Sequence, residues 1–314
     1  MSTKTRVLIL VVAVAFVGII LLVTNLSGPS GRLRAAFDAE FLTRPDGYQG
    51  LTEHYGFKFA SEPMQMDPGL MYKSLADSAI DVIDGFATDG RIPAYGLVVL
   101  KDDKEFFPPY YAAPLVRKES LETHPDIKHL LNQLAGRLPG EAMQKLNYEV
   151  DENGRKAYDV ARAFLVSQEL IQPEAQPRDG SAGTLTIGSK HFTEQEVLGE
   201  LMSILIECST NIKVVRKLNL GGTMICFNGL KAGDLDLYAE YTGTGLVNIL
   251  KQEVISDPDK AYEAVQEVFQ REYELIWLEP FGFNNTYTLT MRRKHAEQLG
   301  IVTISDLASY VRKP

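Results

Sequence analysis

TIGSKHFTEQEVLGELMSILIECSTNIKVVRKLNLGGTMICFNGLKAGDLDLYAEYTGTGLVNIL, at residues 186–250, is the stretch that decides the fold. It reads as strand, helix, strand, helix, strand, helix, an alternation typical of a parallel sheet covered by helices. Each strand ends in a polar turn that carries Gly or Thr, at residues 189–194, 221–223 and 241–244. Ligands of open parallel sheets bind beyond the carboxyl ends of the strands, where free N–H groups at helix N-termini favour anions. The stretch therefore predicts an α/β fold with a pocket for a small, partly anionic ligand.

Composition sets the broad class of the chain. Its 314 residues are enough for one large or two ordinary domains, and a hydrophobic content of 45% is normal for a globular protein. The net charge of −9 argues against a nucleic-acid partner, which would need a basic surface. The two cysteines, Cys208 and Cys226, lack metal-ligand spacing, and they form either a disulfide or two buried thiols.

The sequence carries no pattern for Ser-His-Asp catalysis, for metal ligation or for a phosphate-binding loop. Its five histidines are scattered without i, i+4 pairs, and Gly221-Gly222 is not followed by the Gly-Lys-Ser/Thr of a Walker loop. We therefore expect a protein that is not an enzyme and that uses no cofactor and no metal.

An apolar run without charge or proline occupies residues 7–23, about the minimum length of a membrane-spanning helix. A signal peptide is the rival interpretation, but no convincing small-x-small cleavage site follows the run. Lys4 and Arg6 precede it, so the positive-inside rule places the chain after about residue 28 outside the cytoplasm. The sequence predicts a short cytoplasmic tail and a single-pass anchor within residues 1–27, with a binding domain on the extracytoplasmic face of the cell membrane.

Strand-like and helical segments alternate before and after the stretch that decides the fold. Residues 33–171 begin with strands and end in helices, and a helix near 259–272 is followed by a strand with Trp277. Between them, QPEAQPRDGSAG at residues 172–183 is rich in Pro, Gly and charge and has no apolar period. This composition predicts a linker, which we place at 173–183.

Aromatic residues recur near the predicted turns, at Phe86, Tyr110, Tyr111, Tyr241 and Tyr287. Several ring faces around one point attract a cation, and each good contact contributes ~0.5–2 kcal/mol. Such a box prefers a quaternary ammonium to an ammonium group, because methyl groups fill it and form no hydrogen bonds. The alternative for each tyrosine is a half-buried core residue whose hydroxyl is hydrogen-bonded.

Eight short motifs resemble those of one protein family: GSKHFTEQ, LNLGGT, DLDLYAEYTGT, FGFNNTY, FLTRPDGY, MDPGLMY, ATDGRI and FFPPYYAAP. The chain resembles the extracytoplasmic substrate-binding proteins of ABC importers for glycine betaine, choline and carnitine. The resemblance covers nearly all of residues 33–314 apart from the linker. It implies a type II periplasmic-binding-protein fold, in which two α/β lobes close on the ligand like a hinged clamp.

The motifs stand in a different order from that of the family. The family begins with the GSK motif and reaches the FFPPYYAAP segment near its end, whereas here the second motif precedes the first across the linker. We interpret this order as a circular permutation with the cut inside one lobe, and a fragment of a tandem fusion is the competing interpretation. The implied lobes are residues 32–110 with 286–314, and residues 111–172 with 184–285.

The resemblance also implies an aromatic cage for the ligand's ammonium group. Its four members map onto Tyr241, Tyr287, Tyr110 and Phe86. Phe86 departs from the family, which has a tyrosine there, so the cage keeps a ring face and loses a hydroxyl. Tyr287 and Tyr110 are expected at the two crossings between the lobes.

The carboxylate of a betaine is expected at polar residues from both lobes. The resemblance implies Lys190, Thr244 and Arg44, assisted by helix N-termini, and Asn285 is a plausible polar neighbour. The alternative for Arg44 is a surface ion pair that stabilises its turn. Because Arg44 and Lys190 belong to different lobes, a bound carboxylate would help to close the clamp.

These implications predict a membrane-tethered receptor. It would bind a quaternary ammonium osmoprotectant and deliver it to an ABC permease and its ATPase. The alternative is a sensing or scaffold module with the same fold, which would act through a partner membrane protein.

Overall fold

The structure, a computed structural model, describes residues 33–312. The anchor predicted within residues 1–27 lies outside the described residues. Within residues 33–312, no helix has both the length and the apolar character needed to cross a membrane.

Ten strands within the described residues form two five-stranded sheets. In chain order they are β1 (Ala35–Phe37), β2 (Met64–Gln65), β3 (Val82–Phe86), β4 (Leu97–Val99), β5 (Ala112–Arg117), β6 (Thr184–Gly188), β7 (Lys213–Lys217), β8 (Leu237–Tyr241), β9 (Leu275–Trp277) and β10 (Tyr287–Arg292).

The helices between residues 33 and 312 are α1 (Ala39–Thr43), α2 (Tyr48–Tyr55), α3 (Pro68–Ala76), α4 (Arg91–Ala94), α5 (Lys118–Thr123), α6 (Asp126–Leu131), α7 (Gly140–Asp151), α8 (Ala157–Ser167), α9 (Thr193–Ser209), α10 (Thr223–Ala232), α11 (Pro258–Tyr273), α12 (Arg293–Leu299) and α13 (Ile304–Val311). The described residues also form a 3₁₀ turn at Asn132–Leu134 and a π-helix at Thr244–Ile249. Side-chain caps explain several helix starts: Asp67 and Asp257 each precede a proline at the first helical position, and Thr303 forms a capping box with Asp306.

Both sheets are mixed and share one plan. The first has the order β2-β1-β3-β10-β4, with β1 parallel to β2 and β3, and with β10 antiparallel to β3 and β4. The second has the order β7-β6-β8-β5-β9, with β6 parallel to β7 and β8, and with β5 antiparallel to β8 and β9. In each sheet the antiparallel inner strand comes from a distant part of the sequence. The two-lobed α/β architecture that the resemblance implies is confirmed.

Two segments cross between the sheets, and they run side by side. Tyr111 and Asn284 form an isolated antiparallel bridge, and the backbone N–H of Asn285 donates to the carbonyl of Tyr110 at 3.0 Å. Pro108 and Pro109 lie in the first crossing, ahead of β5. Proline lacks the N–H that a ladder requires, so the strand begins only after both prolines.

Strand register brings the ends of distant strands together at the crossings. Tyr287 on β10 pairs with Phe86 on β3, and Ala112 on β5 pairs with Tyr241 on β8. Both pairs lie at the ends of their strands. The register thus gathers three of the four predicted cage residues from both sheets at one place.

The structure corrects one expectation from the sequence, the type of helix after β8, and decides between the two alternatives for the cysteines. The helix expected after Tyr241 is a π-helix, Thr244–Ile249, in which Leu250 N–H donates to the Gly245 carbonyl at 2.9 Å. Single π-turns are frequent at functional sites. The two cysteines, Cys208 and Cys226, are free and buried, which favours the interpretation as small apolar side chains over the disulfide.

Candidate ligand-binding site

A cavity of about 510 Å³, a volume that includes its open mouth, lies between the two lobes. All eight residues predicted from the sequence line it: Phe86, Tyr110, Tyr241, Tyr287, Arg44, Lys190, Thr244 and Asn285. Six further lining residues were not predicted: Asp38, Glu40, Pro68, His191, Phe192 and Gly222. The structure therefore assembles one site from both sheets and from both crossings.

Aromatic rings form a continuous arc along the cavity. Tyr110 meets Tyr287 edge-on with ring centroids 5.6 Å apart, and Tyr287 lies 5.4 Å from Phe86. Phe86 stacks on Phe192 at 5.3 Å, and Phe192 stacks on Tyr241 at 6.3 Å. Five rings thus pass from one lobe to the other without a gap.

Phe192 is the member of the arc that sequence reasoning missed. It is the residue just before α9, at the end of the turn that follows β6, and it belongs to the quoted GSKHFTEQ motif. Its position in a turn at the carboxyl end of a strand was the available signal. The stack on Phe86 joins residues from different sheets, so Phe192 closes the arc between the lobes.

Arg44 is buried in a network that reaches across the lobes. Its guanidinium forms a bidentate pair with Asp46, at 2.8 and 2.6 Å, and Nη1 donates to the Thr244 hydroxyl at 3.2 Å. The guanidinium also lies 5.1 Å from the ring centroid of Tyr287. Burial alone would lower the pKa of Arg44. Electrostatic interactions with Tyr287 and Asp46 outweigh the effect of burial and raise the pKa of Arg44 well above its usual value. The ion pair expected as an alternative exists, but it is buried and faces the cavity.

Lys190 is also paired inside the protein. Its Nζ donates to Glu240 Oε1 at 2.5 Å, and it lies 5.1 Å from the ring centroid of Tyr241. Glu240 accepts further hydrogen bonds from the Tyr238 hydroxyl and from the backbone N–H of Tyr241, both at 2.8 Å. Both basic residues of the site therefore have carboxylate partners, which the sequence did not indicate.

A carboxylate of the protein occupies the N-terminus of α10. Glu40, which follows β1 in the first sheet's lobe, accepts from the backbone N–H of Thr223 at 2.6 Å and from its hydroxyl at 3.1 Å. Burial raises the pKa of Glu40, but the charges of Lys190 and Arg44 and the bonds to Thr223 outweigh burial and lower it. The N-terminus of α10 thus already has an anionic partner, which is a side chain of the opposite lobe.

Glu194 forms another bridge between the lobes, behind the arc of rings. Its Oε1 accepts from the Tyr241 hydroxyl and from the Asn285 side-chain amide, each at 2.8 Å. Its Oε2 accepts from the Thr88 hydroxyl and from the Asn147 side-chain amide. These four bonds fix the Tyr241 ring and link both sheets to the second crossing.

Asp38 and Asp84 lie together beside the cavity. Asp38 caps α1 with Oδ1, and its backbone N–H donates to Asp84 Oδ1 at 2.9 Å. The Oδ2 atoms of both residues are buried without a hydrogen-bond partner in the described part of the chain. Burial and the charge of Asp38 raise the pKa of Asp84 well above its usual value. Asp38, which lines the cavity, adds negative charge near Tyr287.

The geometry supports binding of a small cation more directly than binding of a free anion. Ring faces and carboxylates surround the cavity, while each basic side chain already has an acidic partner. Within residues 33–312, no group of three or more His, Cys, Asp or Glu side chains is arranged to hold a metal ion.

Comparison with known proteins gives a family match over most of the chain. A family model described as the substrate-binding domain of the ABC-type glycine betaine transport system matches residues 22–167 and 183–314. The two matched stretches are separated by residues 168–182, which include most of the predicted linker.

Curated relatives match about half of the chain. The carnitine transport binding protein OpuCC of Listeria monocytogenes is 42% identical over 152 residues, which are 48% of this chain and 49% of its own. A glycine-betaine-binding protein of Pseudomonas aeruginosa is 40% identical over 149 residues, 47% of this chain and 46% of its own. A crystal structure described as a glycine betaine/carnitine/choline ABC transporter is 41% identical over 45% of this chain and 51% of its own, with a TM-score of 0.36. The chain thus spans about half the length of the curated relatives it matches.

Proposed function

This chain belongs to the family of substrate-binding domains of ABC-type glycine betaine transport systems, and we propose that it captures a quaternary ammonium compound for an ABC permease and its ATPase. Members of such a family are binding proteins and not enzymes. The ligand we propose is of the glycine betaine, choline or carnitine type. The observation that carries the proposal is the arc of five rings on one cavity between the lobes.

Ring faces suit a trimethylammonium group because they attract its charge and tolerate its methyl groups. Tyr110, Tyr241, Tyr287 and Phe86 present rings from both sheets and both crossings to the cavity. Each contact contributes ~0.5–2 kcal/mol, and more when the cation is desolvated. Phe86 lacks the hydroxyl of a tyrosine, but cation–π attraction comes from the ring face, so we propose that Phe86 remains a cage member.

A ligand carboxylate, where the ligand has one, is proposed to meet Arg44, Lys190 and Thr244, with Asn285 nearby. Arg44 and Thr244 already bond each other across the lobes at 3.2 Å. Lys190 and Arg44 have protein carboxylates as partners, so a ligand carboxylate would share these cations with Glu240 and Asp46. We expect its contribution to affinity to be smaller than that of two unpaired cations.

We also propose the rearranged order of the family's motifs and the placement at the membrane. A collinear comparison of a permuted chain recovers about half of each partner, as is found for the curated relatives. The C-terminal helix α13 and strand β1 share one hydrophobic cluster, through Leu307 and Phe37 among others. The proposed lobes are residues 32–110 with 286–314 and residues 111–172 with 184–285, and we propose that an anchor within residues 1–27 holds them on the extracytoplasmic side.

A rearranged chain tests the permutation. A protein that runs from residue 184 to 314 and then from 33 to 172 restores the family's order. We expect it to fold and to bind the same ligand with the affinity of the original chain. An insoluble or non-binding product, beside an active original, would contradict the permutation.

Isothermal titration tests the function itself. We expect residues 33–314 to bind choline, glycine betaine or carnitine with a dissociation constant of about 1 μM, which corresponds to about −8 kcal/mol. Tyr241→Ala should abolish the binding heat, since it removes a ring that joins the arc to the second sheet. Absence of heat from all three ligands with the folded original chain would refute the proposal.

A further inference from the structure

Three carboxylates lie behind the rings and cations of the cavity. They differ in the groups that offset their negative charge. Asp46 pairs with Arg44 at 2.6 Å, and Glu240 pairs with Lys190 at 2.5 Å. Glu194 is fully buried as well, but its four hydrogen-bond donors, two amides and two hydroxyls, are all neutral. A buried carboxylate without a cation is costly, and neutral donors offset only part of that cost.

Glu194 lies directly behind the cavity. It lines a small adjoining hollow that shares Phe86, Phe192 and Asn285 with the main cavity. Its Oε1 accepts the hydroxyl proton of Tyr241 at 2.8 Å, and the Tyr241 ring faces the main cavity. A phenol that donates to a carboxylate has a more electron-rich ring, because the carboxylate's charge polarises the O–H bond. The face of that ring then attracts a cation more strongly.

We propose that Glu194 acts through the Tyr241 hydroxyl to supply the negative charge that balances the ligand's ammonium group. Glu194 touches no ligand and is therefore a positioning residue, and its charge reaches the ligand through the ring. The inference rests on the proposed function, because it assumes a cationic ligand at the cage. It explains why a buried carboxylate has only neutral partners in the protein: its counter-ion arrives with the ligand.

The same bonds give Glu194 a role in coupling ligand charge to closure. Thr88 belongs to the first sheet's lobe, whereas Tyr241 and Asn147 belong to the second. The Thr88 hydroxyl reaches the carboxylate from the opposite lobe. A cation in the cage favours the charged form of Glu194, which strengthens the Thr88 bond, so it stabilises the closed arrangement more than the open one.

The test compares choline with its neutral isostere 3,3-dimethyl-1-butanol, in which carbon replaces the ammonium nitrogen. Both ligands have the same shape, so a loss of packing affects both, whereas a loss of charge affects choline alone. Glu194→Gln keeps the size and one acceptor oxygen but removes the charge. We expect it to weaken choline binding about tenfold and to leave the affinity for the isostere unchanged.

Two further variants complete the design. Tyr241→Phe keeps the ring and removes the hydroxyl that transmits the charge, so it should show the same selective loss even where Glu194→Gln fails to fold. Glu196→Gln is the control on the same helix. It removes the charge of a carboxylate that accepts a surface hydrogen bond from Asn219, and it should change neither affinity. Isothermal titration of the original chain and the three variants with both ligands gives all eight constants.

The outcomes separate the inference from the proposed function. An original chain that binds neither choline nor any related cation refutes the function and the inference with it. An original chain that binds choline, with variants that lose both ligands equally or lose neither, leaves the function intact and overturns the inference. A selective loss of choline supports it.

Discussion

Phe86 is the residue at which this chain departs from the cage that its family resemblance implies. Its ring packs between Phe192, at 5.3 Å, and Tyr287, at 5.4 Å, so it holds the middle of the aromatic arc. The attraction of a ring for a cation does not need the hydroxyl. The contribution of Phe86 should therefore depend on the ring alone.

We predict that Phe86→Ala weakens choline binding about tenfold, the equivalent of one lost cation–π contact. Phe86→Tyr should bind choline within about twofold of the original chain, because it restores the same face. Competition or titration calorimetry on the two variants measures both values. An alanine variant with unchanged affinity would show that Phe86 is only a wall of the cavity.

Asp81 gives a prediction for stability that is independent of the ligand. Burial alone would raise its pKa, but bonds from Arg34 and Arg292 outweigh burial and lower it from 3.8 to about 2. A carboxyl with a lowered pKa stabilises the folded state at pH values above its unfolded pKa, and the gain disappears as pH falls through the folded pKa. The stabilising effect is thus complete near neutrality and is lost between about pH 4 and pH 2.

Asp81→Asn should reduce the free energy of unfolding by ~1–2 kcal/mol at pH 7, a value that allows for screening because Arg34 is half exposed. The difference from the original chain should shrink as pH is lowered from about 4 toward 2. Urea unfolding at pH 7 and at pH 3 measures it. An equal difference at both pH values would mean that the carboxylate charge contributes little.

At the scale of single residues, the sequence identified the groups of the site but not their partners. Lys190 and Arg44 stand in recognisable motifs, whereas Glu240 and Asp46 become their partners only through folding. Glu194 is the seventh residue of the GSKHFTEQ motif, yet its four bonds come from four separate segments of the chain. Side-chain pairing over such distances follows from packing and cannot be read from local spacing.

At the scale of elements, the turns after the strands carry the site. The end of β8 and the turn after it bring Tyr241 and Thr244 to the cavity, and Gly243 in that turn packs against the first crossing. A Cβ added at Gly243 would lie 2.8 Å from the Tyr110 ring and 2.9 Å from the Pro109 carbonyl oxygen. Real Cβ atoms do not approach so closely, so a side chain here must displace the crossing or the ring.

Gly243→Ala should therefore weaken choline binding about tenfold by displacing the ring of Tyr110 from the cage. Gly140→Ala is a matched control, because its added Cβ meets no atom within 4 Å at the start of α7. The control should retain full affinity. Equal affinities of both variants, measured by the same titration, would contradict the close packing of turn and crossing.

The sequence predicts which segments form strands and which form helices, but it does not predict their local geometry. The alternation of strands and helices in residues 186–250 has the apolar spacing that the sheet needs, and β6, β7 and β8 appear where it indicates. The π-helix at Thr244–Ile249 departs from a regular helix, and all of its residues are buried, with α11 packed against it. Tertiary packing decides such a departure, and local propensity does not encode it.

At the scale of the whole molecule, both lobes share one topology, and each receives its antiparallel inner strand from a crossing. The hydrogen bonds that join the lobes across the cavity include Glu40 to Thr223, Arg44 to Thr244 and Thr88 to Glu194. All three involve residues at or beside the cavity. We therefore expect a ligand that bridges the rings to favour the closed state of the lobes as well.

The overall architecture was available from the sequence only through motif resemblance. Composition and periodicity alone predict an α/β fold with a pocket, and they do not reveal that two sheets exist. The second sheet takes β5 from residues before the linker and β6 from residues after it, so its strands are far apart along the chain. Pairing at such separations is set by the packing of the complete chain.

A crystal structure of residues 33–314 grown with choline tests the central claim most directly. We predict the trimethylammonium group inside the cavity, within about 6 Å of the ring centroids of Tyr241, Tyr287 and Tyr110. Electron density for choline at any other place, or an empty cavity at a choline concentration that saturates binding in solution, would contradict the account.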